Sequence, residues 1–172
     1  AIGMWTRFRY DERVNQAERK EATIRVAIVE DDKRYRESLE MLLQHAPGFS
    51  LAASFPAALP ALKHAESLAA ECRLDWDVVL MDLGLPDLSG IEATRSLKRL
   101  SPDPRIVVLT VFEEPQTILD AIRSGADGYL LKKTPPQELL KQLQIVRSGG
   151  APLTAGVATV VLSQGLPGAH YR

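Results

Sequence analysis

The chain has 172 residues, of which 45% are hydrophobic and 25% charged, with a formal net charge of -1. That is enough chain for one domain with a real hydrophobic core, and the balance of charge favours neither nucleic acid nor a membrane surface as a direct partner. A single cysteine, Cys72, excludes an internal disulfide framework and a cysteine-based zinc site; no apolar run approaches the roughly 20 residues of a membrane span, and without a signal-peptide core a cytoplasmic location is expected.

Residues 1–23 mix charges of both signs with aromatics and sustain no apolar period, so they read as an N-terminal tail; the internal Met4 is consistent with Ala1 to Gly3 being a cloning remnant. From Ile24 the pattern becomes regular. The first strand, RVAIV, runs into Glu30, Asp31 and Asp32. Two carboxylates about 5 Å apart repel by roughly 3 kcal/mol at an effective dielectric near 20, so something must offset them. Asp32 sits where the N-cap of the first helix belongs. In that helix Tyr35, Leu39, Leu42 and Leu43 share a face, and His45 near its end faces free carbonyls.

The second strand is SLAASF. In the second helix Ala58, Leu62, Ala65, Ala69 and Cys72 form one stripe, which makes Cys72 a small buried hydrophobe. The following stretch, SLAAECRLDW, is long enough to extend that helix. The third strand, DVVLM, ends at Asp82, and the third helix opens on Ser89-Gly90-Ile91-Glu92, a capping box. Thr110 closes the fourth strand, RIVVLTV, and Ile118, Ala121 and Ile122 mark the fourth helix. Tyr129 and Lys132 bracket the fifth strand, GYLLK. The fifth helix opens on Thr134-Pro135-Pro136-Gln137, again a capping box, with proline at the first helical position and a stripe of Leu139, Leu143 and Val146. Residues 149–172 read as a linker or C-terminal tail with room for one short helix around Val157 to Leu162.

Strands alternating with helices over residues 24–148 predict an α/β domain, a doubly wound five-stranded parallel sheet with five helices. Right-handed crossovers place helices on both faces and a ligand site beyond the carboxyl ends of the strands. Glu30, Asp31, Asp82, Thr110 and Lys132 then converge in one cleft.

IVEDDKRYRESL, VVLMDLGLPDLSG, VVLT and SGADGYLLK together resemble the phosphoacceptor receiver domains of two-component response regulators. The resemblance implies a flavodoxin-like receiver with strand order 2-1-3-4-5. It also implies that Asp82 is the phosphoacceptor, supplied by a sensor histidine kinase, and that Mg²⁺ is held by Asp31, Asp82 and the backbone carbonyl of Gly84, with Glu30 acting through water. Lys132 neutralises the transferring oxygens, Thr110 offers a hydroxyl to the acyl phosphate, and Tyr129 turns from exposed to buried as the switch is thrown. Such a protein is a switch and not a turnover enzyme, with homodimerisation through the switch face as a further expectation.

GADGYLLKKTPPQELL and SGGAPLTAGVA are similar to the branch whose receiver precedes a LuxR-type helix-turn-helix that binds promoter DNA. The 22 residues after Gly150 are too few for that motif, so a chain cut in the linker is expected, with a stand-alone receiver as the alternative. Val111 and Phe112 depart from the small residue many relatives carry after the threonine, which predicts narrowed access to Asp82. A haloacid dehalogenase-like phosphohydrolase would need a second aspartate where Gly84 stands, and a Rossmann domain would need glycines where EDDKR stands.

Overall fold

The computed structural model describes residues 23–164. Five strands, β1 (Ile24–Val29), β2 (Phe49–Phe55), β3 (Val78–Met81), β4 (Arg105–Thr110) and β5 (Gly128–Leu131), form one parallel sheet in the order β2-β1-β3-β4-β5. The connecting helices are α1 (Lys33–His45), α2 (Ala58–Ala70), α3 (Gly90–Leu100), α4 (Pro115–Arg123) and α5 (Pro136–Arg147), followed by α6 (Ala155–Ser163). The expected order and class therefore hold, with a sixth helix beyond the five expected; it covers the place foreseen for a short helix in the C-terminal segment. None of the described helices is long and apolar enough to cross a membrane.

The two-residue period of a strand splits the core. Val26 and Ile28 of β1 face one way, meeting Leu39 and Leu43 of α1 and Leu139, Leu143 and Val146 of α5. Ala27 and Val29 face the other way, toward Ala58, Ala61 and Ala65 of α2 and Ala93 and Leu97 of α3. Alanines on α2 let that helix approach the sheet closely, while Trp76 fills the space at its far end. A third cluster joins Val108, Tyr129 and Leu131 to Ile118 and Ala121 of α4 and to Val157 and Val161 of α6.

Several helix ends behave as expected. Asp32 caps α1, accepting from Tyr35 N at 3.0 Å, and His45 Nδ1 donates to the Met41 carbonyl at 2.8 Å. Ser89 Oγ accepts from Glu92 N at 3.2 Å, while the Glu92 carboxylate pairs with Arg95. Two expectations need correction. The N-cap of α5 is Pro135, without a side-chain cap bond, so Thr134 lies one residue before the cap although Pro136 does occupy the first turn. Cys72 is exposed, and α2 stops at Ala70. Cys72 N donates to Ala69 O at 3.0 Å and Arg73 N to Leu68 O at 2.8 Å, with Cys72 at φ 54°. These are the paired bonds and left-handed residue of a Schellman stop, which turns the chain before the helical stripe reaches Cys72.

Candidate functional site

The carboxyl ends of β1 and β3 carry the acids, and the ladder fixes their backbones. Glu30 N donates to Phe55 O and Asp82 N to Val29 O, both at 3.0 Å, so pairing continues one residue past each strand. Glu30 and Asp82 are buried and Asp31 is exposed, yet one carboxylate oxygen from each lies within 4.8 Å of the other two. The offset demanded by their repulsion is partly present in the protein itself. Lys132 Nζ lies 2.8 Å from Glu30 Oε2 and 3.1 Å from Asp82 Oδ2, after rising from the end of β5 across the Tyr35 ring, 4.8 Å from its centroid.

Each buried carboxylate spends its second oxygen on the backbone: Glu30 Oε1 accepts from Asp32 N at 3.0 Å and Asp82 Oδ1 from Leu83 N at 2.8 Å. Thr110 is fully buried at the end of β4, its Oγ1 accepting from Phe112 N at 3.4 Å. Gly84 is exposed two residues after Asp82, and a Cβ on it would lie 3.4 Å from the Phe112 ring. Tyr129 is buried, with its hydroxyl donating to Phe112 O at 2.8 Å. The ring is thus already inside, covered from the α6 side, rather than in the exposed starting position expected of it. Lys133 points outward and pairs with Glu113 at 3.0 Å.

A doubly wound sheet that gathers these acids and this lysine at one end has a counterpart among known families: the model of the response regulator receiver domain matches residues 26–144. The chain belongs to that family. Among curated relatives, the transcriptional regulatory protein DegU of Brevibacillus brevis is 30% identical over 131 residues, 76% of this chain and 53% of that protein. The nitrate/nitrite response regulator protein NarL of Escherichia coli is 30% identical over 136 residues, 79% of this chain and 60% of that protein. This receiver therefore spans little more than half the length of those relatives. Among solved structures, a LuxR-family two-component response regulator from Aurantimonas is 28% identical, with 83% of this chain and 98% of that one covered at a TM-score of 0.73.

Burial governs the electrostatics of the receiver pocket. Desolvation pushes the Glu30 carboxyl up to about 7, with the Asp82 charge adding to the rise and the hydrogen bonds from Lys132 and the Asp32 amide opposing it. Burial also pulls on Lys132 in the opposite sense, but its bond to Glu30 and the charges of Asp82 and Glu30 outweigh it and hold the ammonium above its ordinary range. The Tyr35 phenol is raised to about 12, chiefly by burial.

Three positioning groups escaped the reading of the sequence. Arg36 Nη1 donates to Glu30 O at 2.7 Å and more weakly to Asp31 O at 3.4 Å, pinning the acidic loop to α1. Its i+4 spacing from Asp32 places it on the first turn, but nothing in the spacing announced a backbone partner. Asp87 accepts from Ala58 N at 2.9 Å and Leu59 N at 2.7 Å, so the loop after Asp82 caps α2, whose own N-cap is Ala57. Gly90 allows α3 to start against the carboxyl end of β3, since a Cβ there would lie 2.0 Å from Asp82 O. The proline and aspartate of LPDLSG and the helix-opening glycine were the available signals for the last two.

Proposed function

We propose that this receiver takes a phosphoryl group onto Asp82 from a phosphohistidine of a sensor histidine kinase and acts as a cytoplasmic switch. The observation that carries the reading is the meeting of Glu30, Asp31 and Asp82 within 4.8 Å around a lysine that already bridges two of them. An Asp82 carboxylate oxygen forms the new bond to phosphorus while the phosphorus–nitrogen bond breaks and its electron pair returns to the imidazole. Lys132 supplies positive charge to the transferring oxygens, and the buried Thr110 hydroxyl at the end of β4 is the group to receive one of them. The oxygen-only donor set fits a hard divalent cation. Asp31, Asp82 and the Gly84 carbonyl would hold Mg²⁺, with Glu30 acting through water; bound there, it would neutralise charge developing on the phosphoryl oxygens.

The aspartyl phosphate adds roughly -1.5 to -2 charges to a crowded pocket and so biases a two-state element, which makes the protein a switch rather than a turnover enzyme. Among the relatives, DegU is a transcriptional regulatory protein, of which the matched part covers only 53%. The output proposed for this receiver is accordingly transcription, through a DNA-binding domain of the LuxR type, with homodimerisation as part of activation. Incubation with Mg²⁺ and acetyl phosphate should produce an acid-stable, base-labile gain of one phosphate that is lost in Asp82→Ala. Continuous hydrolysis of phosphate esters would instead support a phosphohydrolase.

A further inference from the structure

The segment after α5 closes the outer edge of the sheet. Tyr129 N donates to Pro152 O at 2.9 Å, Thr154 N donates to Tyr129 O at 3.2 Å, and Leu131 N donates to Thr154 Oγ1 at 3.3 Å. Leu153 thereby forms a parallel bridge with Tyr129, and β5 has its free backbone groups satisfied where an edge would leave them open. The approach needs Gly128, because a Cβ there would lie 2.7 Å from Pro152 Cγ and 2.9 Å from Pro152 O. α6 then lays Val157 and Val161, 2% and 3% exposed, into one cluster with Ile118, Ala121, Tyr129 and Leu131. A connector that merely ran over the surface would have none of these features.

Two short chains of contact lead to this docked segment, one from the Asp82 carboxylate and one from the Thr110 hydroxyl at the end of β4. In the first, Lys132, bound to Asp82, directly follows Leu131, whose amide donates to Thr154. In the second, Phe112 takes part on both sides: its N–H donates to Thr110 Oγ1 and its carbonyl accepts from Tyr129 Oη, and the Tyr129 ring lies in the cluster with Val157 and Val161. We propose that residues 152–163 form a latch on β5 and α4 that phosphorylation of Asp82 loosens. The inference rests on the reading of Asp82 as phosphoacceptor. A phosphoryl group there competes for Lys132 and for the Thr110 hydroxyl, so it removes contacts made in the latched state and gains others that this state does not supply. That difference in interaction is what shifts a two-state equilibrium.

The test is hydrogen exchange on the full chain with Mg²⁺, with and without beryllofluoride. Slowed exchange in residues 82–90 reports occupancy of the Asp82 pocket. In the same sample the amides of Tyr129, Leu131 and Thr154 should exchange about tenfold faster, within the usual range of coupling between two sites. Unchanged or slower exchange at those three amides, with the pocket occupied, overturns the latch. Linkage requires the reciprocal effect, so Val161→Asp, which undocks α6 without touching the pocket, should bind beryllofluoride about tenfold more tightly; unaltered or weaker binding overturns it too. A chain whose residues 82–90 never respond refutes the reading of Asp82 itself, and the coupling with it.

Discussion

The Lys132 ammonium lies 2.8 Å from a Glu30 carboxylate whose side chain is only 3% exposed. A carboxylate taken out of water is tolerated only with a partner and with its remaining lone pairs satisfied, and Glu30 has both. Lys132→Met leaves Glu30 and Asp82 facing each other without that cation. Unfolding by urea at pH 7 without divalent ions should show a loss of about 2 to 4 kcal/mol, and millimolar Mg²⁺ should restore a large part of it. An unchanged midpoint would mean that solvent, not Lys132, compensates the pair.

The same burial gives stability a pH dependence. The folded-state Glu30 value of about 7 stands above its ordinary 4.5, so between these values the folded chain holds a proton that the unfolded chain has released. Metal-free stability should therefore fall as pH rises from 4.5 to about 7, by an amount on the order of 3 kcal/mol, and Glu30→Gln should flatten that part of the profile. Mg²⁺ affinity should move the other way, rising as the carboxyl gives up its proton. Denaturation midpoints in chelator, and Mg²⁺ titrations across the same range, check both signs.

Asp87 links the loop after Asp82 to α2, and its effect has the opposite sign. Four backbone amides, that of Leu59 foremost, outweigh burial and hold its carboxyl below the ordinary 3.8. Its contribution is complete above pH 3.8 and is lost as pH falls through the lower folded-state value. Asp87→Asn should lower the melting temperature at neutral pH, and the gap from the parent chain should close in acid. Because the loop also carries Gly84, the variant should bind Mg²⁺ more weakly at neutral pH, as isothermal titration can measure.

Of the two bulky residues after Thr110, Phe112 is the one whose ring reaches the loop that follows Asp82. Val111 is 66% exposed, while the Phe112 ring lies where a Cβ on Gly84 would touch it at 3.4 Å. Phe112→Ala should open that side of Asp82 to water and raise the rate of autodephosphorylation several-fold, whereas Val111→Ala should leave it near the parent value. Decay of the aspartyl phosphate after removal of the donor measures both. A larger effect at Val111 would refute this assignment of the obstructing side chain.

Much of this protein was legible in one dimension. Short aliphatic runs alternating with stretches of helical period or helix-capping signals announced the strands and helices of the sheet, because strands buried on both faces read as continuous apolar runs while helices buried on one face repeat about every 3.6 residues. The position of Asp82, Thr110 and Lys132 at strand ends was readable for the same reason, and with Glu30 and Asp31 it defined the pocket. Of residues 1–23, taken as a tail, 1–22 lie outside the described residues. What left no mark was decided in three dimensions. Arg36 recognises a backbone carbonyl and Asp87 caps a helix 28 or 29 residues earlier in the chain, and neither partner has a side-chain signature. Cys72 continued the apolar stripe but fell beyond a stop made of backbone bonds. The short apolar run after Gly150 carried helix propensity but no address; only the assembled sheet, which puts β5 at its margin beside an apolar face of α4, determines where such a segment gains by docking.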